Sequence, residues 1–142
     1  MNQTIILVAD DNSDDVVLMK RALRRAGLFN TVHVVNDGTE AIEYLTGAME
    51  AHKSGHDISL LVCLDLHMPG MDGFDVLRWI REQPVLDSIP IVILSSSSDQ
   101  PDMDRATHLG ANAYIVKPDK YESLVSVMDN VKQFLGTAEV AT

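Results

Sequence analysis

The run Leu60-Leu61-Val62-Cys63-Leu64 is apolar at every position and stops on the carboxylate of Asp65, with Leu66-His67-Met68-Pro69-Gly70-Met71-Asp72-Gly73 following as a turn. A short apolar run without alternation, bounded by turn residues, reads as a strand buried on both faces of a parallel sheet. Open α/β folds carry their chemistry at the carboxyl ends of such strands, so Asp65 is the first candidate for a functional group.

The same pattern recurs along the chain. Ile5-Ile6-Leu7-Val8-Ala9 ends on Asp10-Asp11, Thr31-Val32-His33-Val34-Val35 on Asn36-Asp37-Gly38, Ile91-Val92-Ile93-Leu94 on four serines beginning at Ser95, and Ala113-Tyr114-Ile115-Val116 on Lys117-Pro118. Helical patterns separate these runs. Asn12-Ser13-Asp14-Asp15 supplies an N-cap and an acidic first turn to a helix with Val16, Met19, Leu23 and Ala26 on one side and Gly27 as its stop. Lys20, Arg21, Arg24 and Arg25 fill its other positions as a solvated face. A helix follows from Glu40 to Leu45, and residues 47–58 form a polar connection that is either a surface loop or a fraying helix extension. Phe74, Leu77 and Ile80 recur at helical spacing, with Trp79 at the edge of that face and Pro84 closing the helix. Pro101 opens a short helix that reaches Leu109 and stops at Gly110. The last helix carries Leu124, Val127, Met128, Val131 and Leu135, and Gly136 to Thr142 read as a disordered tail. Five strands alternating with five helices on short links predict an α/β domain with right-handed crossovers and a parallel sheet covered on both faces.

At 142 residues the chain has room for one domain, large enough to bury about two-thirds of its unfolded surface. No apolar stretch approaches the roughly 18 residues of a membrane span, and the start lacks the basic region of a secretory segment. A lone cysteine, Cys63, allows no internal disulfide, fits a cytoplasmic location and reads as a small buried hydrophobe. The formal net charge of −10 argues against sequence-independent nucleic-acid binding and favours proteins or cations as partners. His52 and His56 are four apart, but Lys-Ser-Gly between them and the missing third ligand speak against zinc.

In a parallel sheet the strand ends share one edge. If the first and third strands are neighbours, that edge holds a crevice lined by the carboxylates of Asp10, Asp11 and Asp65, with the Ser95 hydroxyl and the Lys117 ammonium alongside. Three carboxylates held close repel unless a cation neutralises them, and an all-oxygen set suits a hard divalent ion such as Mg²⁺. Such an ion and a lysine attract phosphoryl oxygens, and an ionised aspartate is a competent nucleophile, so the site reads as a phosphoryl acceptor.

Asp10-Asp11, Asp65 with Met68-Pro69-Gly70 and Met71-Asp72-Gly73 behind it, Ser95, and Lys117-Pro118 resemble the receiver domain of two-component response regulators, in order and from Ile5 to about Leu135. The resemblance implies a flavodoxin-like, doubly wound (βα)5 fold with strand order 2-1-3-4-5, a receiver over residues 1–136, a tail over 137–142 and no output domain. It implies that Asp65 takes a phosphoryl group from a sensor histidine kinase. Asp11, Asp65 and the main-chain carbonyl of His67 would bind Mg²⁺ or Mn²⁺, with Asp10 acting through water. Lys117 would pair with the phosphoryl group, the Lys117-Pro118 peptide would be cis, and Ser95 with Tyr114 would form a switch acting on a face built from helix 4, strand 5 and helix 5. That face would serve a downstream protein or phosphotransfer partner and possible homodimerisation, while the basic first helix would dock the kinase. Ser95 stands where threonine is commoner, and His67 and Ser97 occupy positions that tune dephosphorylation. The acidic start, the long 47–58 connection and Ser-Ser-Asp-Gln-Pro after strand four resemble single-domain receivers that accompany phytochrome-like kinases, which implies a cytoplasmic bacterial protein.

Two other readings use the same residues. A phosphatase of the haloacid dehalogenase type also forms an aspartyl-phosphate at a strand end, but it needs an acid where His67 stands. A docking module that is never phosphorylated would usually have lost one of the acid, hydroxyl or lysine positions, and all are present.

Overall fold

A computed structural model of the chain describes residues 4–137. The elements, in order, are β1 (Ile5–Ala9), α1 (Ser13–Arg25), β2 (Val32–Val35), α2 (Gly38–Lys53), β3 (Leu60–Leu64), α3 (Gly73–Glu82), a 3-10 turn (Pro84–Leu86), β4 (Ile91–Ser95), α4 (Gln100–His108), β5 (Ala113–Val116), α5 (Tyr121–Val131) and a second 3-10 stretch (Lys132–Thr137). The five strands form one parallel sheet in the order β2-β1-β3-β4-β5, the flavodoxin-like arrangement.

Alternate residues of each strand face opposite sides, so the continuous apolar runs build two cores. Leu7, Val62, Leu64, Ile91 and Ile93 meet Leu45 of α2, Leu77 and Ile80 of α3 and Ala106 of α4. Ile6, Val8, Leu61, Cys63, Val92 and Leu94 meet Met19 and Leu23 of α1 and Met128 and Val131 of α5. All residues of β3 and β4 are buried; each large apolar side chain removed from water contributes roughly 1.5–3 kcal/mol. Three helices start on local signals that the sequence carries openly. The side chains of Asn12, Asp37 and Asp72 accept hydrogen bonds from the backbone N–H of Asp15, Glu40 and Asp75 at 3.0, 2.8 and 3.0 Å, caps worth about 1 kcal/mol each.

One alternative left open by the sequence is decided, and two details differ from its reading. The connection after residue 46 resolves in favour of helix, with α2 running to Lys53 and Ser54 as its C-cap. Ala48 and Met49 pack against the core beneath, which a reading of polarity alone does not register. The tail expected from Gly136 begins inside a 3-10 stretch that reaches Thr137, and the rest of that tail lies outside the described residues. No described peptide bond is cis, so the Lys117-Pro118 bond is trans, against the cis expectation. Trans is the cheaper X-Pro isomer by about 0.5–1 kcal/mol; the Lys117 N–H donates to the Ser95 carbonyl at 2.7 Å and its side chain reaches the acids described below.

Candidate functional site

The sheet register brings the strand ends together. Ala9 pairs with Leu64 and the Asp65 N–H donates to the Ala9 carbonyl at 2.9 Å, so the residues just beyond β1 and β3 emerge side by side. Ser95 pairs with Val116, which sets Lys117 beside the end of β4. The carboxylates of Asp10, Asp11 and Asp65 each offer an oxygen within 4.8 Å of the others, with Asp10 and Asp65 buried and Asp11 exposed. This all-oxygen anionic set fits a hard divalent cation better than any soft one.

Lys117 crosses the crevice from the β5 side. Its Nζ donates to Asp10 Oδ2 at 2.9 Å, to Asp15 Oδ2 at 2.9 Å and, at longer range, to Asp65 Oδ2 at 3.5 Å. Burial works against its positive charge, but the hydrogen bonds to Asp10 and Asp15 and the charges of Asp65 and Asp10 outweigh burial and hold the ammonium above its ordinary range. Asp65 is pushed the other way. Burial raises its carboxyl, the Lys117 charge opposes that, the Asp10 charge adds to it, and the His67 N–H, donating to Oδ1 at 3.3 Å, opposes it again. The net direction is upward, which makes Asp65 more basic than an ordinary aspartate. Asp10 Oδ1 meanwhile accepts from the Asn12 N–H at 2.9 Å, so Asp10 is fixed at both oxygens.

Behind Asp65 the chain turns through Leu66 to Asp72 and closes with the Gly73 N–H donating to the Leu66 carbonyl at 3.0 Å. A Cβ at Gly73 would collide with the Asp65 carbonyl oxygen and lie 2.7 Å from Leu66 Cα. Glycine is therefore required for α3 to start directly under the Asp65 backbone.

Ser95 is fully buried at the end of β4, where its Oγ accepts from the Ser97 N–H at 3.2 Å. Tyr114, half-buried against the core, donates its hydroxyl to the Ser97 carbonyl at 2.9 Å. The Ser97 hydroxyl donates in turn to Asp102 Oδ2 in the first turn of α4 at 2.6 Å. Ser95 and Tyr114 are thus joined through Ser97, which the sequence reading names only as a position that tunes dephosphorylation. The exposed His67 contributes its N–H to Asp65. His52 and His56 stay apart from the crevice, with His52 Nδ1 set 3.2 Å from the His56 carbonyl. Cys63 is buried within β3, and burial pushes its thiol up to about 12. Asp15 and Asp102 are the site residues that the sequence reading missed, and Gly73 it quotes only as the end of a turn motif. Asp15 had a usable signal, since it lies four before the buried Met19 and so on the inward stripe of α1, where a carboxylate calls for a cation.

The family model of the response regulator receiver domain matches residues 6–129. The chain belongs to that family. The receiver is 33% identical over 131 residues to the probable methanogenesis regulatory protein FilR2 of Methanothrix harundinacea, covering 92% of this chain and 82% of that one. Its fold superposes on the phosphorylated cyanobacterial phytochrome response regulator RcpA with a TM-score of 0.81 and 32% identity, across 100% of both chains. It superposes on the Mn²⁺-bound form of Rcp1, a response regulator of Synechocystis, with a TM-score of 0.78 and 27% identity, across 99% of this chain and 100% of that one. Among the described residues of the receiver, no helix is long and apolar enough to cross a membrane.

Proposed function

We propose that this receiver accepts a phosphoryl group on Asp65 from the phosphohistidine of a sensor kinase and signals as a stand-alone cytoplasmic regulator. The observation that carries the proposal is the Lys117 ammonium shared among Asp10, Asp15 and Asp65, beside a triad of carboxylate oxygens within 4.8 Å. Fixed charges of both signs converge on one buried carboxylate, and positioning with charge neutralisation is most of what phosphoryl transfer requires.

In the transfer, an Asp65 carboxylate oxygen forms the new O–P bond as the donor's P–N bond breaks and its electron pair stays on the imidazole nitrogen. Lys117 lies within reach of the incoming oxygens, and the buried Ser95 hydroxyl stands at the adjacent strand end as a further donor. Asp11, Asp65 and the His67 carbonyl, with Asp10 acting through water, would hold Mg²⁺ or Mn²⁺, which would supply charge neutralisation for the phosphoryl oxygens. The Mn²⁺ named for Rcp1 and the all-carboxylate set support that assignment. The chemistry is confined to this chain's own Asp65, so the receiver is not an enzyme with a separate substrate.

Likeness to a phytochrome response regulator supports a phytochrome-like kinase as donor. The Ser97 bridge supports a switch in which phosphorylation draws Ser95 and Tyr114 together and reshapes the surface of α4, β5 and α5, where Val116 is 37% exposed. A downstream protein or a second copy would read that surface. Intact-mass measurement after incubation with acetyl phosphate and Mg²⁺ tests the proposal. One phosphoryl group should be gained by the native chain and none by Asp65→Asn or in chelator; a labelled Asp65→Asn protein would sink the assignment.

A further inference from the structure

We propose that Asp15 is a positioning residue that holds Lys117 in the resting receiver and competes with the arriving phosphoryl group for its ammonium. This rests on the phosphoacceptor reading above and adds to it a residue outside the carboxylate triad. An ammonium has three N–H donors, and in the resting geometry all three point at carboxylates: Asp10 at 2.9 Å, Asp15 at 2.9 Å and Asp65 at 3.5 Å. A phosphoryl group on Asp65 needs at least one of those donors, so one carboxylate must yield.

The surroundings select which. Asp10 has a side chain only 1% exposed and is fixed at its other oxygen by the Asn12 N–H, so leaving it unpaired strands a buried charge. Asp15 has a side chain 38% exposed, and its carboxylate can pass to water at little cost. It also borders a cleft of about 50 Å³ between α1 and α5, lined by Leu18, Pro118 and Leu124, which gives side chains room to move. Asp15 therefore holds Lys117 over the crevice while Asp65 is free, and surrenders it when the phosphoryl oxygens arrive.

Initial rates of phosphorylation, read by intact mass against acetyl phosphate concentration at saturating Mg²⁺, test this. Asp14→Asn is the control, since Asp14 is an exposed acid in the same helical turn with no contact to Lys117 among those described. Asp15→Asn should lower the half-saturating donor concentration by about 2- to 5-fold, the scale of a partly exposed ion pair, with the maximal rate unchanged. Asp15→Glu, which keeps the charge, should stay near the native value, and Asp15→Ser repeats the asparagine test should that variant fold poorly. An equal shift in Asp14→Asn would reduce the effect to general charge and overturn the proposal, as would a rise or no change in Asp15→Asn. A native chain that gains no phosphoryl group would instead remove the phosphoacceptor reading itself, and this inference with it.

Discussion

At Gly73 one hydrogen atom decides whether the strand that carries Asp65 can end where it does. Because a Cβ there meets the Asp65 carbonyl and Leu66 Cα, Gly73→Ala forces the Asp65 backbone apart from the start of α3. Overpacking of this kind costs about 1–3 kcal/mol. The variant should melt several degrees lower and take up phosphate more slowly, because Asp65 shifts relative to Lys117; a slow, fully stable Gly73→Ala protein would show displacement without strain. Asp65 itself carries the opposite sign. Its carboxyl is raised by burial, so the folded state binds its proton more tightly than the unfolded state, and stability is lost as pH rises through that titration. Asp65→Asn should accordingly raise the melting temperature at neutral pH without metal, and the gain should vanish below the carboxylate range. The acids, the lysine and Ser95 were legible because each closes an apolar run. Asp15 and Asp102 drew no site role, because their partners lie 102 and 5 residues away along the chain.

Elements are held together by a residue that no motif announces. Arg81, near the end of α3, donates to the carbonyls of Asp87, Ile89 and Gly110 at 2.8, 2.9 and 2.8 Å and to Asn112 Oδ1 at 2.9 Å. Asn112 Oδ1 also accepts from the Ile91 N–H that opens β4, at 2.7 Å. One guanidinium thus fastens α3, the 3-10 turn, the start of β4 and the α4–β5 link. Burial lowers its pKa, against the charge of Asp87. Losing several charge-assisted bonds to part-buried carbonyls should cost Arg81→Ala about 3 kcal/mol, read as a lower urea midpoint. Arg81→Lys should recover only part, because an ammonium lacks the planar fork. In sequence, Arg81 follows Ile80 as an ordinary polar position of an amphipathic helix. The strands and helix caps were readable because their signals are local, while the extent of α2 was left open because only Ala48 and Met49 packing on the core decides it.

For the whole molecule, four proton-binding shifts among the described residues share one direction, that of the half-buried Tyr44 hydroxyl included, while burial moves Arg81 the other way. Asp65 and Lys117 are raised in the folded state, and Cys63 is raised to about 12. In each case the folded protein holds more protons than the unfolded chain, so stability falls as pH rises through each titration. Without metal, the stability curve should slope downward through the carboxylate range for Asp65 and again above about pH 9, where the unfolded Cys63 thiol begins to ionise. Divalent metal reverses the acid limb alone. On the proposed site it would bind the ionised form of Asp65, so the folded state would gain about RT ln(1 + [M]/Kd) only where that carboxylate is charged. Thermal melts in millimolar Mg²⁺ should therefore show stability rising with pH through the acid range and an alkaline decline left in place, because Cys63 lies within β3 and takes no part in metal binding. A native chain at pH 7 should gain more from Mg²⁺ than Asp65→Asn does. Equal gains in the two proteins would place the cation away from the crevice and detach the net charge of −10 from the site chemistry.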